Sequence, residues 1–187
     1  MLIGALVVLG IGVGVAKFDL GTRMSQVAKL DSNALPEYMK MFDVVLETGD
    51  PAKGMVRRVK MNIPEGMTKA EAITEAIEVM DEVAEEHGLA VVDNKIMSRE
   101  PYIQIRSYCS QTIGKKFVAY SPYFIGFMPC RIGVVEDPKT KEIYVYTMSL
   151  ELMINGGHTL PDEMLELANE VRTGMYGMLE AAANLED

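Results

Sequence analysis

Two cysteines and two histidines are all that this chain of 187 residues offers for thiol, zinc or imidazole chemistry. Cys109 continues the alternation of Ile103 and Ile105 along one apolar run, and Cys130 shares the parity of Ile132 and Val134 along another. Both thiols are therefore expected to face the core. If the two strands are neighbours, the thiols could come within disulfide range, which needs Cα atoms within about 7 Å. The plain reading is that both are small apolar fillers; a redox pair, or a contact to a ligand, metal or haem, is the sharper one. Arg131 points away from Cys130 and is a candidate anion contact as well as an ordinary surface arginine. His158 follows Asn155-Gly156-Gly157 and is the only loop histidine, which makes it the best single candidate for acid–base work or ligation; the bland alternative is exposure to solvent. His87 ends an acidic helix, where a cation suits the dipole. No Ser/His/Asp order, phosphate loop or HExxH pattern exists, so a hydrolase or nucleotide enzyme has no support, and no particular cofactor is indicated.

The charge balance excludes another class. Eighteen Lys and Arg against 27 Asp and Glu give a net charge of −9 and a pI near 4.8. Binding nucleic acid by phosphate neutralisation needs basic surface, so no nucleic-acid partner is expected.

Residues 2–16, LIGALVVLGIGVGVA, contain no charged or polar side chain. Fifteen helical residues span about 22 Å, and continuation to Leu20, with Lys17 snorkelling, approaches the roughly 30 Å of a hydrocarbon core. The expectation is a single membrane anchor over 1–20, with the lipid bilayer and other membrane subunits, or a second copy, as partners. Gly10 and Gly14 sit four apart on one helical face, a spacing that lets membrane helices approach closely. Gly10-x-Gly12 looks like the start of a dinucleotide-binding turn, but position 15 is Val where the third glycine is required. Lys17, Arg23 and Lys29 follow the span, and the charge rule alone puts the domain in the cytoplasm.

Beyond the anchor, residues 21–54 read as a connector with one short helix, PEYMKMFDVVLET, closed by Gly49. From 55 to 187 the periods alternate between two and 3.6. Strands are expected at 56–63, 89–93, 102–108, 126–136 and 142–148, and helices at 68–87, 110–120 and 161–183. Thr68-x-x-Glu71 is a capping box, with Ile73, Ile77, Met80 and Ala84 on the inner face and Glu71, Glu75, Glu78, Glu82 and Glu85 outside. The order predicts an α+β domain: a mostly antiparallel sheet of about five strands with helices packed on one face, preceded by a single N-terminal transmembrane helix.

The stretch from Arg106 through Cys109 to Lys116, followed by Gly126-Phe-Met-Pro129-Cys130 running to Glu136-Asp137, resembles the domain of unknown function 302 family. That family typically places a cysteine before its middle helix and a Pro-Cys pair at the start of a strand running into an acidic turn. Ser110-Gln111 departs from the Asn-Pro often found after the first cysteine. The resemblance covers roughly residues 55–155. It implies a small α+β fold that tends to dimerise, found alone or behind an N-terminal export or anchor segment in bacteria, and no established activity. It tilts the expected placement toward a bacterial inner membrane with the soluble domain on the periplasmic side. The expected function is a noncatalytic accessory or assembly subunit of a membrane complex or homo-oligomer. The alternative is a ligand-, metal- or redox-active domain using Cys109 and Cys130.

Overall fold

The computed structural model describes residues 20–185. The expected anchor, with Gly10 and Gly14, lies outside them; among the described residues no helix is long and apolar enough to cross a membrane. The elements are α1 (Leu20–Val27), α2 (Ala34–Thr48), α3 (Pro51–Met55), β1 (Val56–Lys60), α4 (Lys69–Glu86), β2 (Ala90–Arg99), β3 (Tyr102–Cys109) and α5 (Gln111–Tyr120). A 3-10 helix (Pro122–Phe127), β4 (Cys130–Glu136), β5 (Ile143–Met148), α6 (Glu151–Asn155) and α7 (Asp162–Ala183) complete the chain. The five strands form one antiparallel sheet in the order β1-β5-β4-β3-β2. This is the α+β architecture expected from the alternating periods.

Helices α4 and α7 pack on each other and against the sheet. On α4 the capping box forms: Thr68 Oγ1 accepts from the Glu71 amide at 3.3 Å, and the Glu71 carboxylate accepts from the Thr68 amide at 2.8 Å. Ile73, Met80 and Ala84 are buried, and all five glutamates of the outer face are exposed. On α7, Met164, Ala168, Met175, Met178 and Ala182 are buried along one side of the helix. Met80, Met164, Met175 and Met178 thus serve as packing between helices and sheet.

One position lets the two helices approach. A Cβ on Gly174 would sit 2.8 Å from His87 Cβ and 3.1 Å from Leu89 Cδ1, and His87 Cβ is fixed to the backbone at the end of α4. Gly174→Ala gains about 1 kcal/mol of helix propensity, whereas forced overpacking costs about 1–3 kcal/mol. The clash wins, so we expect the variant to lose about 1 kcal/mol or more in a urea titration; a stabilised variant would show that His87 moves aside freely.

Several boundaries differ from the sequence reading. The second strand runs to Arg99 instead of stopping at 93, because β2 is an edge strand whose side chains are almost all exposed. Without a buried face its residues carry no apolar alternation, and two bulges break its register against β3. Residues 126–128 are not strand. Pro122 opens a 3-10 turn through Phe127, and β4 starts at Cys130, directly after Pro129. Helices α1, α3 and α6 were not anticipated; two of them are five residues long, too short for periodicity to register.

Candidate functional site

The parity argument for Cys109 fails, and its failure is informative. Tyr108 pairs with Cys130, Arg106 with Ile132 and Gln104 with Val134, so these residues share the helix-covered face, while Ile103 and Ile105 belong to the other. The covered face of β3 is therefore the polar one. Arg106 Nε donates to Asp81 Oδ1 of α4 at 2.9 Å, its Nη2 donates to Oδ2, and the fully buried Tyr108 hydroxyl donates to Oδ1 at 2.9 Å. Cys130 faces inward as expected. Cys109 reaches the same interior by a different route: it is the last residue of β3, where the chain turns through Ser110 into α5.

The two thiols meet in the wall of one cavity of about 80 Å³ beneath α5 and the 3-10 turn. Ile113 and Phe117 come from α5, Phe124 from the turn, and Met153 from α6, so almost nothing polar lines it. Phe117 and Phe124 pack with ring centroids 5.0 Å apart and ring planes tilted by 54°. Gly114 gives the space. A Cβ there would meet Met128 Sδ at 3.4 Å and Cys109 Sγ at 3.9 Å, so two sulfurs converge on the bare face of this glycine.

Both cysteines are free thiols. Burial, aided by the neighbouring Cys109, pushes the Cys130 thiol up to about 11. At about pH 8 its thiolate fraction then falls roughly a hundredfold below that of an ordinary cysteine. Iodoacetamide labelling with peptide mapping should leave Cys130 unmodified in the folded chain and modify it once urea is added. Rapid labelling of Cys130 in the native state would contradict the burial that sets its pKa.

The other candidates stand apart from this cavity. Arg131 is exposed on the opposite face of β4, paired with Ser107. His158 is exposed in the loop between α6 and α7, and His87 caps α4 as expected. A second cleft of about 510 Å³, of mixed polar and apolar lining, lies at the far end of the sheet, between α4 and strands β2 and β3. Several of its polar groups are matched to one another. Gln104 donates to Asn94 at 2.6 Å and accepts from Tyr102 at 2.7 Å, and Lys69 pairs with Glu136 at 2.9 Å. The Lys69 hydrogen bond, with that from the Tyr102 amide, holds the Glu136 carboxyl below its usual range. Among the described residues no group of three or more His, Cys, Asp and Glu is arranged to hold a metal ion.

Sequence reasoning missed Met128, Met153 and Phe124 as cavity residues, and it missed the Asp81 pair entirely. The adjacent Met128-Pro129-Cys130 was visible. Asp81 sits among exposed carboxylates on an acidic helix, with nothing local to distinguish it.

Fold and cavity together define a small α+β domain with an apolar cavity walled in part by two free thiols. The chain belongs to the DUF302 family, described as a domain of unknown function, whose family model matches residues 65–182. It is also similar in fold to the crystal structure of an uncharacterized conserved DUF302 protein from Bacillus stearothermophilus, at a TM-score of 0.51 and 13% identity over 70% of this chain and 98% of that one. Curated proteins give no match.

Proposed function

We propose that this chain is a noncatalytic accessory protein, held at a bilayer by residues 1–20, whose domain binds a small apolar or thiophilic ligand between Cys109 and Cys130. The observation that carries the binding reading is the cavity itself: two free thiols from different strands in a wall that is otherwise almost entirely hydrocarbon and thioether. An apolar site of this kind gains by excluding water from its occupant, and a high thiol pKa keeps Cys130 protonated and inert until a ligand displaces the proton. Membrane attachment is supported by the apolar run 2–16, which contains no charged or polar side chain.

The test is purification of the full chain in mild detergent under reducing conditions, followed by native mass spectrometry, a visible spectrum and metal analysis. A bound species of defined mass that is retained by the parent chain and lost from Gly114→Leu, which fills the cavity, supports the binding role. A chain that comes away empty, with both thiols open to a bulky maleimide, overturns it. Stoichiometric partner subunits in the same preparation support the accessory role; a monomer washed from membranes by salt overturns attachment.

A further inference from the structure

The cavity that holds the two thiols is rich in sulfur and poor in other donors. Beside Cys109 and Cys130 its wall takes in Met128 and Met153, so sulfur reaches it from the end of β3, the start of β4, the residue pair before β4 and α6. Its polar side chains are Ser110 and Tyr108, and the Tyr108 hydroxyl is turned to Asp81. Among the described residues no carboxylate, imidazole or side-chain amide lines it. The sulfurs also converge. Met128 Sδ and Cys109 Sγ lie 3.4 Å and 3.9 Å from a single point, the place that a Cβ on Gly114 would take. Cys130 is near enough to Cys109 for a charge on one to be felt by the other.

Size and donor chemistry narrow the occupant. Pockets that enclose drug-sized organic molecules run to about 300–1,000 Å³, whereas this cavity holds about 80 Å³. That is room for an ion or a species of a few atoms, and too little for a haem. A metal ion bonded to sulfur at about 2.3 Å fits such a space, and the rotatable bonds of methionine let its thioether close on the ion. Calcium and magnesium require oxygen ligands, and zinc requires a set of four built from thiolate, imidazole, carboxylate or water. Thiolates with thioethers in an apolar wall match a soft monovalent ion, and copper(I) above all.

The charge of such a complex is accommodated. As each metal–sulfur bond forms, the thiol gives its proton to solvent, copper stays monovalent, and no electron is transferred. One monovalent cation and two thiolates leave a single negative charge. Helix α5 begins directly after Cys109, and its N-cap Ser110 makes no side-chain cap, so the free amides of the first turn place partial positive charge beside that anion.

We infer that the thiols of Cys109 and Cys130, with the thioether of Met128, form a binding site for one copper(I) ion under the bare face of Gly114. The inference rests on the reading that the cavity is a binding site and names the class of its occupant. Gly114 serves the site by leaving the space in which the sulfurs meet.

The test uses the full chain in mild detergent, reduced and without oxygen, titrated with copper(I) against the chelator bicinchoninate and, separately, with zinc. The expected result is one copper retained per chain, with a thiolate-to-copper absorption band in the ultraviolet and no comparable hold on zinc. Cys109→Ala and Cys130→Ala should each weaken retention by about a hundredfold or more. Met128→Leu, which conserves volume, should weaken it about tenfold at an unchanged urea midpoint. Copper held equally well by Met128→Leu removes the thioether and overturns the site as drawn. Copper held by both cysteine variants places it elsewhere on the chain and also overturns the site, as does zinc held more tightly than copper. If the parent takes up no copper yet carries another species that Gly114→Leu loses, the metal falls and the binding reading stands. A chain that takes up no copper, carries no other species and leaves both thiols open to maleimide overturns both.

Discussion

Asp81→Ala lowers the stability of the domain by about 3 kcal/mol, read as a fall in the urea midpoint at unchanged slope. The carboxylate is the common acceptor for Arg106 and for the hydroxyl of Tyr108, which is fully buried. Its removal leaves a guanidinium with only 14% of its side-chain surface exposed and a phenol with no partner. Desolvation of an unpaired group, not loss of a contact, sets the size of the effect. Because the Asp81 side chain is itself 35% exposed, water enters to part of the site, and the cost stays toward the low end for a broken buried pair. Tyr108→Phe, which removes one hydrogen bond and leaves the ion pair, should cost about 1 kcal/mol. The larger variant has a second readout: Tyr108 pairs with Cys130 and lines the cavity, so Asp81→Ala should also speed labelling of Cys130. A midpoint shift equivalent to less than about 1 kcal/mol would mean that Arg106 and Tyr108 find other partners.

The second large effect is alkaline. Burial and the nearby Cys109 raise the Cys130 thiol to about 11; burial and the bond to Glu151 raise Tyr176 to about 12; burial and the bond to Asp81 raise Tyr108 further still. In each case the folded state prefers the protonated, neutral form. The contribution is complete below the unfolded values, ordinarily near 8.5 for cysteine and 10 for tyrosine, and is lost as pH rises through the folded ones. Stability should therefore decline from about pH 9 to pH 12. Cys130 alone accounts for about 2–3 kcal/mol, and Tyr108 adds to it, whereas the half-exposed Tyr176 counts for a fraction because solvent screens it. Urea titrations across this range should show the decline, and Cys130→Ala should flatten its lower part. Parallel curves for the two proteins would remove Cys130 from the account.

The repeat on α7, the capping box and the inner face of α4 were legible because each depends on neighbours three or four residues away, which fix both helix formation and the side that is buried. The same holds for β4 and β5, where apolar alternation marks strands buried on one side. The edge strand β2 was half invisible, since exposure on both faces leaves composition free. On β3 the alternation pointed to the wrong face, because Ile103 and Ile105 are only partly buried while Arg106 and Tyr108 are satisfied by Asp81 of α4, and Gln104 by Asn94 of β2 and by Tyr102 two residues along the same strand.

By itself the sequence determined the fold class, the main helices, the family and the pair of cysteines as the residues to watch, all through local periodicity and a short motif. Only the tertiary structure decided that Cys109 and Cys130 share one cavity and that His158 and Arg131 stand apart from it. Strand order and register bring together residues far apart in the chain, and no local pattern encodes which strands become neighbours.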